Sequence, residues 1–168
     1  MYCGGWTLVT HHSALIITLT AFTKETPMKI FTTEYRVIYG DTDPFNVVYY
    51  ANYFDFFERG RTEMFRELGV TYKEVSSMGV YLPVSETYCK YHKPAQYDDL
   101  LVIETRLAYV KRVSIKFEYR IYVKNSDELL VEGYTVHGFV NKDRKLVRVP
   151  EDIYNRVKDL LPLDGEEK

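Results

Sequence analysis

Two carboxylates, Asp41 and Asp43, stand just before an apolar run and the start of a predicted helix. The first backbone N–H groups of a helix lack partners within it and carry partial positive charge. Such groups can polarise a carbonyl and hold the oxyanion that develops on it. A carboxylate held nearby can attack that carbonyl or deprotonate a water molecule. The competing interpretation is a surface turn that leads into a helix cap.

The residues between the carboxylates and the helix favour a tight, fixed turn. Pro44 fixes the backbone immediately after Asp43. Asn46 is one of the few residue types besides glycine that tolerates a positive φ angle. The sequence lacks a Gly-x-Ser-x-Gly elbow, a Walker-type glycine loop and a His-Glu-x-x-His motif. The segment that contains Asp41 and Asp43 is therefore the main candidate for chemistry.

The elements around this segment follow from hydrophobic periodicity. Residues 31–39 alternate with a period of two, which predicts a strand. Residues 51–68 carry apolar side chains at spacings of three and four, which predicts an amphipathic helix. Gly60 lies on its apolar stripe despite the loss of helix propensity, which predicts close passage over a sheet. Gly69 is predicted to end the helix.

Strand patterns dominate the rest of the chain. The predicted elements are a short helix at 71–78, strands at 80–91, 101–110, 113–123 and 129–140, a short strand segment at 146–149 and a helix at 151–161. One helix packed on one face of an antiparallel sheet is an α+β architecture. We expect one domain, residues 28–168, preceded by an extension of doubtful role, residues 1–27.

Composition excludes several classes of protein. The chain has 168 residues and a net charge of −2, so its overall field does not favour nucleic acid or an anionic membrane. The apolar stretch 14–22 is shorter than a membrane span and lacks a basic leader, although a weak signal peptide stays an alternative. Cys3 and Cys89 form no metal or disulfide pattern, which indicates a reducing, cytoplasmic setting.

Two stretches of the sequence resemble a known family. The first comprises Asp41-Thr42-Asp43, Val47-Val48-Tyr49 and Asn52-Tyr53, and the second is the Pro-Ala and Tyr-Asp-Asp segment within residues 91–99. Together they resemble the 4-hydroxybenzoyl-CoA thioesterase branch of the hotdog superfamily, including the thioesterases associated with the Tol-Pal system. The resemblance implies a hotdog fold, in which an antiparallel sheet wraps around one long central helix. It also implies hydrolysis of an acyl-CoA thioester to free acid and CoA.

The resemblance assigns roles to individual residues. It implies that Asp43 is catalytic and that the backbone N–H of Tyr50 polarises the thioester carbonyl. Asn46, Tyr49 and Tyr53 are the expected substrate contacts, with core packing as the alternative for the tyrosines. Two positions depart from the family: Asn46 replaces a usual glycine, and Tyr50 replaces a frequent histidine. A backbone role survives the second change, whereas a side-chain role for histidine does not. No metal or cofactor is expected, because coenzyme A is part of the substrate.

Other candidate residues receive structural interpretations. Asp41 is expected to orient the loop, and the helix carboxylates Glu58 and Glu63 are expected at the surface or an interface. His92 and His137 are expected to be structural or interfacial. Two basic sets are candidates for the coenzyme A phosphates, with a solvated face as the alternative for each: Lys90, His92 and Lys93, or Lys111, Arg112 and Lys116.

Two further expectations concern assembly and rival functions. A single helix cannot cover both faces of the sheet, and exposed strand edges invite pairing, so we expect a homodimer or homotetramer with a shared active site. The alternative function is a non-catalytic module that binds an acyl thioester or an acyl carrier. A hotdog hydratase or dehydratase is the other rival, but no Asp/His pair is visible near Asp43.

Overall fold

The computed structural model describes residues 29–161, and the predicted extension, residues 1–27, lies outside this range. Within it the elements are β1 Phe31–Arg36, α1 Asn52–Glu67, α2 Tyr72–Ser77, β2 Val80–Tyr81, β3 Val84–Tyr91, β4 Leu100–Val110, β5 Ser114–Val123, β6 Leu129–Gly138, β7 Val140–Asn141 and α3 Glu151–Val157. Short 3-10 turns span Tyr39–Asp41 and Lys158–Leu160. None of the helices in this range is long and apolar enough to cross a membrane.

Five strands form one antiparallel sheet in the order β1-β4-β5-β6-β3, and β2 pairs with β7 in a separate two-stranded sheet. The alternating residues of β4 and β5 are buried on one face and partly exposed on the other, as a half-covered sheet requires. The predicted α+β class with an antiparallel sheet is therefore confirmed. β3 lies at one edge, and every residue in it except Cys89 is exposed.

Helix α1 covers the buried face of the sheet at very short range. A Cβ atom added to Gly60 would lie 2.3 Å from the Thr105 Oγ1 atom and 2.9 Å from the Ile103 Cγ2 atom. The predicted close passage of the helix over the sheet is confirmed. Phe57, one turn earlier, stacks on the Tyr119 ring with 4.3 Å between the ring centroids. Gly133 of β6 lies at the same contact. A Cβ atom there would lie 2.8 Å from the Phe57 ring, so the ring fits only because this residue has no side chain.

Several sequence predictions differ from the structure. The strand expected at 31–39 ends at Arg36, residues 129–140 are divided between β6 and β7, and the helix expected at 151–161 ends at Val157. Residues 80–91 were expected to form one strand, but β2 and β3 are separated at Pro83, whose nitrogen has no hydrogen to donate to a strand ladder. Residues 146–149 were expected to form a short strand. Instead, Leu146 forms an isolated β-bridge with Val140, and the Val149 N–H donates a hydrogen bond to the Arg112 carbonyl.

A row of polar side chains is buried between α1 and the sheet. His137 in β6 is only 1% exposed, and its Nδ1 atom lies 3.0 Å from the Leu82 carbonyl oxygen. Because a carbonyl only accepts, Nδ1 carries the proton and Nε2 accepts from the Thr135 hydroxyl at 2.9 Å. The Tyr119 hydroxyl in turn donates to Thr135 at 2.9 Å, and burial raises the pKa of Tyr119 to about 12. The structural role expected for His137 is confirmed.

Acid is expected to destabilise the fold through His137. Burial lowers the pKa of this imidazole, since charging it would add a cation to the core near Arg61. The unfolded chain therefore binds a proton more readily than the folded one, so stability is complete above about pH 6.5 and falls below it. Urea unfolding at pH 7.5 and pH 5.5 measures the difference. His137→Gln should remove most of this dependence, and an equally steep dependence in that variant would contradict the assignment.

Candidate active site

The segment that contains Asp43 forms a tight hairpin against the entry to α1. The N–H of Asp43 donates to the Val47 carbonyl, and the N–H of Tyr49 donates to the Asp41 carbonyl, both at 2.9 Å. Asn46 closes the turn with a φ angle of 61°, as its residue type predicted. The hairpin therefore holds Asp43 beside the segment that leads into α1.

The Asp43 carboxylate is oriented through one of its two oxygens. Its Oδ1 atom accepts a hydrogen bond from the Phe45 N–H at 2.8 Å, which is an Asx turn. The Oδ2 atom has no hydrogen-bond partner among residues 29–161, and the side chain is half-buried. The Asx turn that sequence reasoning kept as the alternative is present. It leaves the second oxygen available to a substrate or a water molecule.

The Tyr50 N–H has the properties expected of an oxyanion donor. It makes no hydrogen bond to an acceptor within residues 29–161, and the residue is 59% exposed. On its other side Tyr50 is anchored, because the Tyr91 hydroxyl at the end of β3 donates to the Tyr50 carbonyl at 3.1 Å. Burial and the nearby Cys89 thiol raise the pKa of Tyr91, so this hydroxyl keeps its proton at neutral pH.

The three expected substrate contacts lie in different environments. Asn46 is exposed at the tip of the hairpin. Tyr49 is 43% exposed, with its ring against that of Tyr50 at 4.6 Å between centroids. Tyr53 is only 2% exposed, and its hydroxyl accepts a hydrogen bond from the Ala95 N–H at 3.0 Å. Tyr53 thus joins α1 to the loop before β4, and a direct contact between substrate and these three residues stays a prediction.

Asp41 has the loop-orienting contacts that the sequence led us to expect. Its Oδ2 atom accepts from the Tyr35 hydroxyl at 2.8 Å and from the Ile38 N–H at 2.9 Å. The Asn52 side-chain amide donates to the Asp41 carbonyl at 2.9 Å. Sequence reasoning did not assign Tyr35, Asn52 or Tyr91 to the site. Asn52 belongs to the Asn-Tyr motif, but nothing in the sequence indicates its partner.

Most of the other polar candidates are occupied by ion pairs. Glu58 pairs with Arg61 at 3.1 Å, and Glu63 pairs with Arg66. In the first basic set, Lys90 and His92 both lie within 4 Å of Glu132, and Lys93 pairs with Glu128. In the second set, Lys116 lies 3.5 Å from Glu118. These pairs favour the surface interpretation of the two helix carboxylates and of the first basic set.

A groove on the outer face of the sheet lies away from the hairpin. Its lining mixes aromatic side chains with charged ones of both signs, among them Tyr88, Arg106, Glu118 and Tyr134. Neither Asp43 nor Tyr50 contributes to it. The hairpin and helix start instead form an open surface in the single chain. This surface includes several exposed aromatic side chains, namely Tyr39, Phe45, Tyr49, Tyr50 and Tyr97.

Known proteins are similar to this chain in sequence and in fold. Residues 37–157 match the family model of the thioesterase-like superfamily. A protein of Aquifex aeolicus named "Putative esterase" is 32% identical over 74% of this chain and 94% of its own length. Acyl-CoA thioester hydrolase YbgC of Escherichia coli is 38% identical over 58% of this chain and 72% of its own.

The fold agrees with that match. The crystal structure of a hypothetical protein from Thermus thermophilus is 31% identical and superposes with a TM-score of 0.72, covering 77% of this chain and 98% of that one. The family model spans the hairpin, α1 and every strand from β2 to β7. This chain therefore belongs to the thioesterase-like superfamily, the hotdog thioesterases.

Proposed function

We propose that this chain hydrolyses acyl-CoA thioesters, with Asp43 and the Tyr50 N–H acting on the same carbonyl. The observation that carries the proposal is the hairpin. It brings a carboxylate oxygen and the Tyr50 N–H to the entry of α1, and neither has a hydrogen-bond partner in the part of the chain that the structure describes. The Tyr50 N–H binds the carbonyl oxygen and stabilises the negative charge that develops there. Membership of the thioesterase-like superfamily and the name of the Escherichia coli relative support the reaction.

Two routes lead from this arrangement to the products. In one, an Asp43 carboxylate oxygen attacks the carbonyl carbon, the C–S bond breaks and CoA leaves as the thiolate; water then hydrolyses the acyl-aspartyl anhydride, and the proton that this step leaves on Asp43 passes to the thiolate. In the other, Asp43 takes a proton from a water molecule as that water attacks the carbonyl; the C–S bond then breaks, and the proton held by Asp43 passes to the departing CoA thiolate. Both consume one water and yield a free acid and CoA. Coenzyme A enters as part of the substrate, and neither route requires a metal or another cofactor.

The finer assignment follows the sequence resemblance. We place the chain with the 4-hydroxybenzoyl-CoA and Tol-Pal-associated thioesterases, with α1 as the central helix about which the sheet wraps. A cytoplasmic location fits the cysteine content. Asn46, Tyr49 and Tyr53 are proposed to shape the substrate site.

A homodimer that pairs through β3 completes this proposal. β3 is an edge strand whose outward backbone groups have no partner within residues 29–161, and Val84, Tyr88 and Tyr91 are each more than 40% exposed. Because Tyr91 also contacts Tyr50, a subunit docked on this edge would cover the open side of the site. Light scattering coupled to size exclusion should give a dimer or tetramer mass, and a monomer alone would refute the pairing.

A thiol-release assay over a panel of short, long and aromatic acyl-CoAs tests the function. We expect release of free CoA from at least one class, and the panel identifies the preferred acyl group. A non-catalytic acyl-binding module would bind the esters without releasing thiol. A hydratase would change the acyl group and leave the thioester intact. Either of these results would overturn the proposal.

A further inference from the structure

Asn52, the first residue of α1, makes two hydrogen bonds that leave the helix. Its backbone N–H donates to the Tyr49 carbonyl at 2.9 Å, and its side-chain Nδ2 donates to the Asp41 carbonyl at 2.9 Å. The side chain does not cap the helix, since no side-chain cap is made at Ala51 and a capping asparagine would accept through its oxygen. Its amide is used as a donor across eleven residues of chain instead.

The backbone bond of Asn52 fixes the direction of the proposed oxyanion donor. The Tyr49 carbonyl and the Tyr50 N–H belong to the same peptide unit. That unit is planar and trans, so its N–H points opposite to its carbonyl. When Asn52 holds the carbonyl towards the helix, the Tyr50 N–H must point out of the helix start, where no acceptor from residues 29–161 meets it.

The side-chain bond of Asn52 fixes the base of the hairpin that carries the acid. The Asp41 carbonyl accepts from both Asn52 and the Tyr49 N–H, and the Asp41 carboxylate is held by Tyr35 and Ile38. Asp43 follows two residues later. Among the described residues, the backbone of Asp43 makes hydrogen bonds only within the same hairpin, to Val47 and Asn46. The bond from Asn52 is therefore the side-chain contact that locks this hairpin to α1.

We propose that Asn52 is a positioning residue that sets the separation between the Asp43 carboxylate and the Tyr50 N–H. This inference rests on the proposed function and assigns a residue to it that never touches the substrate. One residue holds both partners, the donor through its backbone and the acid through its side chain. Replacing the amide removes the side-chain bond between the hairpin and α1, whereas the Tyr50 peptide stays bonded to the backbone at position 52.

The test compares Asn52→Ala and the isosteric Asn52→Asp with wild type in the thiol-release assay. Both variants lack the Nδ2 donor, and Asp also places an acceptor against the Asp41 carbonyl. Misplacement of a catalytic group by about 1 Å lowers a rate by up to roughly 100-fold, so we expect kcat to fall about 10- to 100-fold with KM little changed. Asn155→Ala, on the exposed face of α3, is the matched control and should keep wild-type kinetics.

A double-mutant cycle separates positioning from general damage. In the Asp43→Asn background, Asn52→Ala should cause little further loss, because no acid remains to be positioned. Thermal unfolding should show that both single variants are folded. An unchanged kcat in Asn52→Ala, or a full additional loss in the Asp43→Asn background, would overturn the inference.

An amide NMR spectrum makes the inference testable apart from activity. The Asp43 and Phe45 N–H resonances should shift in Asn52→Ala, because the hairpin loses its anchor, whereas those of α3 should not. If wild type released no thiol and these shifts still appeared, the proposed function would fail, and only the structural tie between Asn52 and the hairpin would stand. If wild type were active and the shifts were absent, only the positioning role would fail.

Discussion

Asp43→Asn should reduce the turnover number at least a hundredfold while the fold survives. The amide is nearly the same size as the carboxylate, and its oxygen can still accept the Phe45 N–H that shapes the turn. It can neither attack the carbonyl as a nucleophile nor take a proton from water. General-base catalysis alone contributes roughly 10²–10⁴-fold to a rate, which sets the scale of the loss. Initial rates of thiol release at saturating substrate measure the effect.

The remaining activity of that variant is also informative. The Tyr50 N–H is unchanged, and one oxyanion donor contributes about 3–4 kcal/mol to transition-state stabilisation, so some thiol release above the uncatalysed rate should persist. Asp143→Asn is the matched control, since Asp143 is an exposed carboxylate in the turn after β7. A circular dichroism spectrum like that of wild type would show that the variant is folded. Wild-type turnover in Asp43→Asn would exclude Asp43 from the mechanism.

Gly133→Ala should be the most damaging small substitution in the sheet. The added Cβ would lie 2.3 Å from the Tyr88 carbonyl oxygen in β3 and 2.8 Å from the Phe57 ring. The first contact is with a backbone atom, and the second is with a ring that is already stacked on Tyr119. Neither group can move away without displacing its neighbours. We expect the free energy of unfolding to fall by about 3 kcal/mol, at the upper end for overpacked cores. Urea or thermal unfolding checks this value.

Gly40→Ala is the control for that substitution. The nearest atom to a Cβ at this position is the Ile38 Cδ1 atom at 4.0 Å, which is an ordinary contact distance. We expect a change of less than about 0.5 kcal/mol there, as for most surface positions. Equal stabilities for wild type and Gly133→Ala would mean that β3, β6 and α1 do not meet as closely as described.

Elements with a clear hydrophobic period were predictable from the sequence. The helix expected at residues 51–68 is α1, Asn52–Glu67, and the strand expected at 113–123 is β5, Ser114–Val123. Both owe their pattern to one buried face, which is a local property of the chain. The break at Pro83 was missed because the apolar pattern continues across it, although proline removes a donor from the ladder.

The candidate site was predictable only in part. The positive φ angle of Asn46 and the Asp43 turn depend on residues close in sequence, so residue type and spacing indicated them. The hydrogen bond from Tyr91 to Tyr50 joins residues 41 apart, and no periodic pattern specifies it. Tyrosine was expected to pack or to contact substrate. The Tyr91 hydroxyl reaches the Tyr50 carbonyl because of the way β3 runs past the start of α1, which only the structure shows.

The two glycines at the helix–sheet contact limit how this protein can diverge. A side chain at Gly60 meets Thr105 and Ile103 of β4, whereas one at Gly133 meets Phe57 and the backbone of β3. The obstacles are different atoms on different elements, so a second mutation that relieves one leaves the other in place. Few single substitutions can therefore place a larger residue at either glycine without a loss of stability. Sequence change should accumulate in the exposed turns and on the outer face of the sheet instead.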